Sequence, residues 1–307
     1  MLRSLFENCP GAHVHVLCMD DQTRHIITAL GFPAVVCLSL ADIEDAALLE
    51  AKKDRSVAEY CWTLSPVLPS HVMANNPQIL MVTYIDADLL FYSPLQPLFD
   101  EIGDASIAII EHRFTPRLQH LEANGRFCVE WVSFRRTEEG MACLARWREQ
   151  CIEWCYYRVE ADRMGDQKYL DAWPARYPST HILLHAGAGI APWNYAQYQF
   201  GLQADGVPAV DGAPLIFYHF HQFQLLDNGG FDRLSTFYTN DCAEPNVVYA
   251  AYESALKRAV AEVRRVVPAF TAGMKPAGIV ATRRWVQRFV PRPVKDVLRR
   301  LLRLLRL

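Results

Sequence analysis

The residues of this chain best suited to chemistry are two carboxylates and two imidazoles. Asp86-Ala87-Asp88 closes the apolar run Ile79 to Ile85, and Tyr218-His219-Phe220-His221 closes the apolar run Pro214 to Phe217. Carboxylates spaced i, i+2 at the carboxyl end of a buried strand lie where open α/β sheets bind their ligands. Such a pair needs a compensating cation. Mg²⁺ or Mn²⁺ supplies one, and the same ion can bridge a diphosphate and neutralise it as it leaves. Read structurally, the same three residues are an acidic turn ahead of Pro94. Period two places His219 and His221 on one face of a strand. An imidazole beside two carboxylates makes a mixed N/O site that favours Mn²⁺, and His219 is the expected ligand.

Two further segments bear on ligand binding. Gly165-Asp166-Gln167-Lys168 offers a carboxylate, an amide and an ammonium at an apparent helix start, a set that grips sugar hydroxyls, though Asp166 also suits a helix N-cap. Gly187-Ala188-Gly189 lets backbone approach a ligand closely, with Trp193 as a stacking platform; it equally suits a tight turn around a core tryptophan. Cys151 and Cys155 share a helix face without nearby ligand partners and read as core. No GxGxxG after a strand, GxxxxGK[ST], HExxH or GxSxG occurs, so dinucleotide, P-loop, zincin and α/β-hydrolase chemistries lack their parts.

The elements that must position these residues alternate strand and helix, the pattern of an α/β sheet flanked by helices. Strands are predicted at His13–Cys18, Ala34–Leu38, Ile79–Ile85, Ser106–Ile110, Val129–Phe134, His181–Leu184 and Leu215–Phe220. Of these, the Ile79–Ile85 run has no polar alternation and is expected to be central and buried on both faces. Helices are predicted at Gln22–Leu30, Ala41–Ala51, Val57–Ala74 and Asn246–Val267. A long helix is also predicted to turn Leu144, Trp147, Cys151, Ile152, Cys155 and Val159 toward the core.

With 307 residues, 51% hydrophobic and 21% charged, the chain is globular, and its net charge of −3 argues against a generally basic nucleic-acid surface. The charge is unevenly spread. Residues 283–307 carry nine Lys or Arg against one Asp, which leaves the preceding residues at net −11. Val294, Val297, Leu298, Leu301, Leu302 and Leu305 form one stripe of a terminal helix, with Lys295, Arg299, Arg300, Arg303 and Arg306 on the opposite side. That stripe suits an anionic bilayer surface, and equally the protein's own acidic body. Nine scattered cysteines without a CxxC pair suit reduced thiols, and with no apolar leader or membrane-length run the expected location is cytoplasmic, or peripheral on the inner membrane face.

Taken in order, Tyr84-Ile85-Asp86-Ala87-Asp88, Gly165-Asp166-Gln167 to Leu170-Asp171, and Tyr218-His219-Phe220 resemble the nucleotide-diphospho-sugar glycosyltransferases of the GT-A fold. Within them the chain looks most like bacterial relatives of the glycogenin and lipopolysaccharide galactosyltransferase group, over roughly Leu2 to Phe223. The resemblance implies a Rossmann-like, mixed but mostly parallel sheet flanked by helices, with a catalytic body over 1–245 and a helical extension over 246–307 that ends in the basic helix 293–307. It implies Asp86, Asp88 and His219 as ligands of Mn²⁺ (or Mg²⁺), Asp166 and Gln167 against the donor sugar, and Arg55 near the donor. The implied activity is retaining transfer of a hexose from a nucleoside diphosphate sugar, a UDP-sugar, to a hydroxyl of a surface glycan or lipid-linked acceptor.

Three departures accompany it. The first strand of that fold, which supports the nucleotide base, is not found ahead of the helix at Met1–Leu5. Cys128-Val129-Glu130 stands where relatives carry Asn-x-Gly, and Glu130 or Asp166 would be the base if transfer inverted configuration. Gln222-Phe223-Gln224 stands where relatives carry Lys-Pro-Trp, which leaves Lys53, Arg55 or Lys168 to meet the diphosphate. The first two departures also fit an alternative, a non-catalytic member that binds a glycan or partner and docks at a membrane.

Overall fold

The computed structural model describes residues 1–234, 238, 240 and 242–289; the basic helix expected over 293–307 lies outside the described residues. The architecture is the mixed α/β sheet flanked by helices that the sequence predicts. Strands Met81–Ile85, Phe127–Arg135, Ile107–Glu111 and Thr180–Leu183 form one sheet in that spatial order. The first two and the second and third pair antiparallel, and the last two parallel. Val14–Cys18 and Val35–Ser39 form a separate parallel pair. Met81–Ile85 is therefore at an edge of the described four-stranded sheet and half-buried, where a central, fully buried strand was expected. The chain begins directly on the helix Leu2–Asn8.

Alternation along the third strand divides the core. Ile107 and Ile109 pack with Cys143, Leu144, Trp147 and Cys151 of the helix Glu138–Glu153, while Ala108 and Ile110 face Leu98, Ile102 and Trp131. Thr137 caps that helix by accepting from the Gly140 amide. The helix ends at Glu153, a turn earlier than its apolar period suggested: Cys155 is still buried, but Val159 is 51% exposed and outside the core. The helical stretch predicted over Val57–Ala74 is two helices, Val57–Leu64 and Val67–Asn75, because Pro66 has no amide to continue the first. The stretch Ala41–Ala51 likewise splits into Leu40–Ile43 and Ala46–Lys52, the second capped by Asp45.

Two features of register place the chemistry. Leu89–Phe91, just after Asp88, pairs antiparallel with Phe217–His219 so that His219 lies opposite Leu89. The Phe220 amide donates to the Asp88 carbonyl at 2.9 Å. The pairing of Ile107–Glu111 with Phe127–Arg135 slips between Ile109 and Ile110, from Val132 to Cys128, leaving Val129, Glu130 and Trp131 without a partner in that pairing. Bulges of this kind re-aim side chains beside functional sites. The helix Asn246–Val266 closes the outer side, burying Val248, Tyr249 and Tyr252 against Tyr218 and Phe220. Among the described residues no helix is long and apolar enough to cross a membrane.

The glycine pair expected to approach a ligand serves packing instead. A Cβ on Gly187 would run into the Pro214 carbonyl oxygen and come within 3.1 Å of the Ile216 amide nitrogen, whose N–H donates to the Gly187 carbonyl at 2.7 Å. Gly189 has φ of +67°, and a Cβ there would meet the side chains of Ile110 and Arg113. Gly187→Ala is expected to lower unfolding stability by about 1–3 kcal/mol through overpacking. A denaturant midpoint equal to wild type would instead show open space for a ligand at Gly187.

Candidate metal and donor site

The strand pairings bring Asp86, Asp88, Glu130 and His219 around one point. The Asp86 amide donates to the Glu130 carbonyl at 3.3 Å, an extension of the ladder between Met81–Ile85 and Phe127–Arg135. His219 Nε2 is 3.0 Å from Asp88 Oδ1 and 3.7 Å from Asp86 Oδ2, while its Nδ1 is 2.6 Å from Glu130 Oε2. The imidazole is thus held on both nitrogens, by Glu130 from inside the protein and by the aspartates from the cleft. Glu130 is fully buried, and its Oε1 has no hydrogen-bond partner.

Asp86 Oδ1 accepts from the Tyr84 hydroxyl at 3.0 Å, which in turn accepts from Ser65 Oγ at 3.3 Å. Burial pushes the Asp86 carboxyl up to about 6; the Asp88 charge adds to this and His219 opposes it. At Asp88 burial works in the same direction, but the charge and hydrogen bond of His219 outweigh it and hold the carboxyl at about 2. Burial disfavours the charged imidazole of His219, yet attraction to Asp88 and the hydrogen bonds of its neighbours raise its pKa well above the usual value. Nε2 of His219, beside the two aspartates, is the nitrogen that would face a metal ion.

Two oxygen donors and one nitrogen, each able to offer an atom within 4.8 Å of the others, match the donor set expected for Mn²⁺. A carboxylate on the far nitrogen of a metal-binding histidine fixes the ring and raises its basicity, and Glu130 has that geometry. The residues present therefore fit a divalent cation. Cys128, Glu130 and His219 also lie within the same reach of one another, but burial raises the Cys128 thiol far above its ordinary range, which keeps it protonated.

The cleft in front of the aspartates encloses about 650 Å³ and is lined by Asp86, Asp88, Asp166, Gln167, His112, His219 and His221, with Trp62, Tyr157, Trp193, Tyr238 and Tyr252 among its aromatic walls. Asp166 is only 3% exposed. Burial pushes its carboxyl up to about 7, the Asp86 charge adds to this, and Oδ2 has no partner. Gln167 Nε2 donates to the Asn124 carbonyl at 3.1 Å. Trp193 lines the cleft but is buried edge-on to His219, with ring centroids 5.2 Å apart, so it supports that imidazole and presents no open stacking face.

None of the three cations expected near the donor lines the cleft. Arg55 donates to the carbonyls of Cys151 and Ile152, tying the end of the helix Glu138–Glu153 to the helix Val57–Leu64. Lys53 pairs with Glu50 on the surface, and Lys168 donates to the Ala123 carbonyl at 2.8 Å. Glu130 does not face the cleft either, because it is sealed behind His219, where it cannot act on a substrate hydroxyl. Sequence reasoning missed Tyr84, Trp62, Tyr157 and His112. Of these only Tyr84 had a signal, its i, i+2 spacing from Asp86 on the same strand face.

No model of a known protein family matches the chain. It is 33% identical over 290 residues to the uncharacterized protein YfnD of Bacillus subtilis (strain 168), an alignment that spans 94% of this chain and 93% of YfnD. Among solved structures it is similar to mouse xyloside xylosyltransferase 1 in its apo form, with 13% identity over 71% of this chain and 87% of that one and a TM-score of 0.39. It is also similar to a glycosyltransferase involved in the glycosylation of the major capsid of PBCV-1, with 6% identity over 69% and 95% and a TM-score of 0.41. Both are remote likenesses, too distant to fix an activity.

A cation and a proton compete for His219 Nε2, so Mn²⁺ affinity should rise with pH, by up to tenfold per unit below the raised histidine pKa and with a plateau above it. Calorimetry across pH 6 to 9 measures this, and a flat profile would exclude His219 as a ligand. Glu130→Leu keeps the buried volume but leaves Nδ1 without its acceptor. It should weaken Mn²⁺ binding about 10- to 100-fold without unfolding the protein, and unchanged affinity would show the buried contact to be irrelevant to the ion.

Proposed function

From a chain that belongs to the family of Bacillus subtilis YfnD, and from the chemistry of its cleft, we propose a metal-dependent glycosyltransferase. It moves a hexose from a nucleoside diphosphate sugar, a UDP-sugar, to a hydroxyl of a surface glycan acceptor. The observation that carries this reading is the charge of the cleft. Asp86, Asp88 and Asp166 line it, and none of its described lining residues is a lysine or arginine. A dianionic diphosphate cannot settle against Asp86 and Asp88, with a third acid at Asp166 and no lysine or arginine in the described lining, unless a divalent cation stands between them.

Asp86, Asp88 and His219 would hold that ion, Mn²⁺ or Mg²⁺. When bound it neutralises the diphosphate as the leaving group departs. Tyr84 fixes the Asp86 carboxylate by its hydrogen bond, and Glu130 fixes the ring of His219. Asp166, buried with one oxygen unpartnered, accepts a hydrogen bond from a hydroxyl of the donor sugar, and Gln167 lies beside it. With Glu130 behind His219 and two aspartates committed to the ion, Asp166 is the carboxyl left in the cleft among the described residues. Its assignment to the donor sugar, and not to the acceptor hydroxyl as a base, is what makes the transfer retaining in this reading.

Residues 1–245 form the catalytic body in this reading, and 246–307 a helical extension whose basic end meets an anionic membrane surface. A purely binding role drew its support from the first strand not found and from the change to Cys128 and Glu130. The contact of Glu130 with His219 gives that change a use within an active site.

Asp86→Asn and Asp88→Asn should each reduce Mn²⁺-dependent release of nucleoside diphosphate from the donor by at least about 100-fold, about 2.7 kcal/mol, with circular dichroism unchanged. Folded wild type that neither binds nor cleaves any nucleoside diphosphate sugar with Mn²⁺ present would overturn the assignment.

A further inference from the structure

The absence of lysine and arginine from the described lining of the cleft leaves one side of a bound diphosphate without a donor. Phosphate oxygens in protein sites are met by charged or strongly polar N–H groups in addition to any ion. His221 has the position for this. It lines the cleft two residues beyond His219, and its ring centroid lies 5.7 Å from that of His219 and 5.7 Å from that of Trp193. Its Nδ1 is 2.6 Å from the Tyr238 hydroxyl. Nε2 has no hydrogen-bond partner among the described residues, whereas both nitrogens of His219 are engaged.

The chain after His221 is held in an unusual conformation. Gln222 has φ of +60°, the left-handed region that a non-glycine side chain enters at a cost. The turn keeps Gln222 on the cleft wall beside His221.

We propose that His221, oriented by Tyr238, donates a hydrogen bond from Nε2–H to the diphosphate of the nucleotide donor, with the Gln222 amide beside it. In the tautomer in which the Tyr238 hydroxyl donates to Nδ1, the one this role requires, the ring carries its proton on Nε2, the nitrogen left for the ligand. His221 thus takes the role of the missing lysine or arginine, while Asp86, Asp88 and His219 face the ion. The assignment rests on the glycosyl-transfer reading and deepens it by naming the protein group that meets the leaving group.

The test is calorimetry of the full-length chain with Mn²⁺ alone and then with UDP in the presence of Mn²⁺, repeated with GDP, ADP and CDP if UDP gives no heat. His221→Ala should weaken nucleoside diphosphate binding about tenfold or more and leave the affinity for Mn²⁺ alone unchanged. His221→Gln, which keeps an amide N–H near the position of Nε2–H, should recover most of the loss. His221→Ala that binds the diphosphate as tightly as wild type overturns the assignment while the transferase reading stands. Equal loss of Mn²⁺ affinity also overturns it, since His221 would then act through the metal residues. Wild type that binds none of the four nucleotides overturns both.

Discussion

One imidazole holds the site together. His219 lies between a carboxylate sealed in the interior and two that face the cleft, and it touches all three within 3.7 Å. Bringing three acidic groups this close is unfavourable unless positive charge is shared among them. In the absence of an ion the protonated histidine provides it, which is why Asp88 titrates so low and His219 so high. The two aspartates are thus held in place by a group whose charge a cation could replace without moving the ring.

That arrangement depends on backbone register more than on any local sequence preference. Asp86 and Asp88 leave one strand and enter the next, so one residue is tied to Phe127–Arg135 and the other to Phe217–His219. The slip at Ile109 and Ile110 then frees Glu130 from the pairing with Ile107–Glu111, while its carbonyl still accepts from the Asp86 amide on the other side. A regular ladder would fix the direction of the 130 side chain by simple alternation; freed from it, Glu130 reaches the far nitrogen of the same ring.

This explains which parts of the site the sequence disclosed. Asp86-Ala87-Asp88 and His219 end apolar runs, and the end of a strand is a position that periodicity marks, so their meeting was foreseeable from pattern and resemblance. Glu130 was noticed as a departure, but the bulge that turns it toward His219 arises from pairing with a strand about twenty residues away and leaves no mark in the local sequence. The cations were misplaced for a similar reason. Arg55 caps the carbonyls of Cys151 and Ile152, nearly a hundred residues distant, and neither composition nor spacing records such a partner. The sheet was legible to within a residue or two at most strand ends, whereas the apolar period ran on past two breaks: Pro66, whose missing amide is a local signal, and the end of the helix Glu138–Glu153.

The other carboxyl of the cleft is kept for a different reason. Asp166 is ionised in an unfolded chain above about pH 4, but burial in the folded protein holds it protonated up to about 7. A raised native pKa contributes stability below the unfolded value, and that contribution is lost as pH rises to 7, on the order of 4 kcal/mol across the interval. An asparagine would fill the space without this penalty. Oδ2 has no protein partner among the described residues and lies in the wall of the cleft. In the glycosyl-transfer reading, the hydroxyl that this acid recognises accounts for its presence better than the stability of the fold does, since the fold above about pH 4 gains nothing from it.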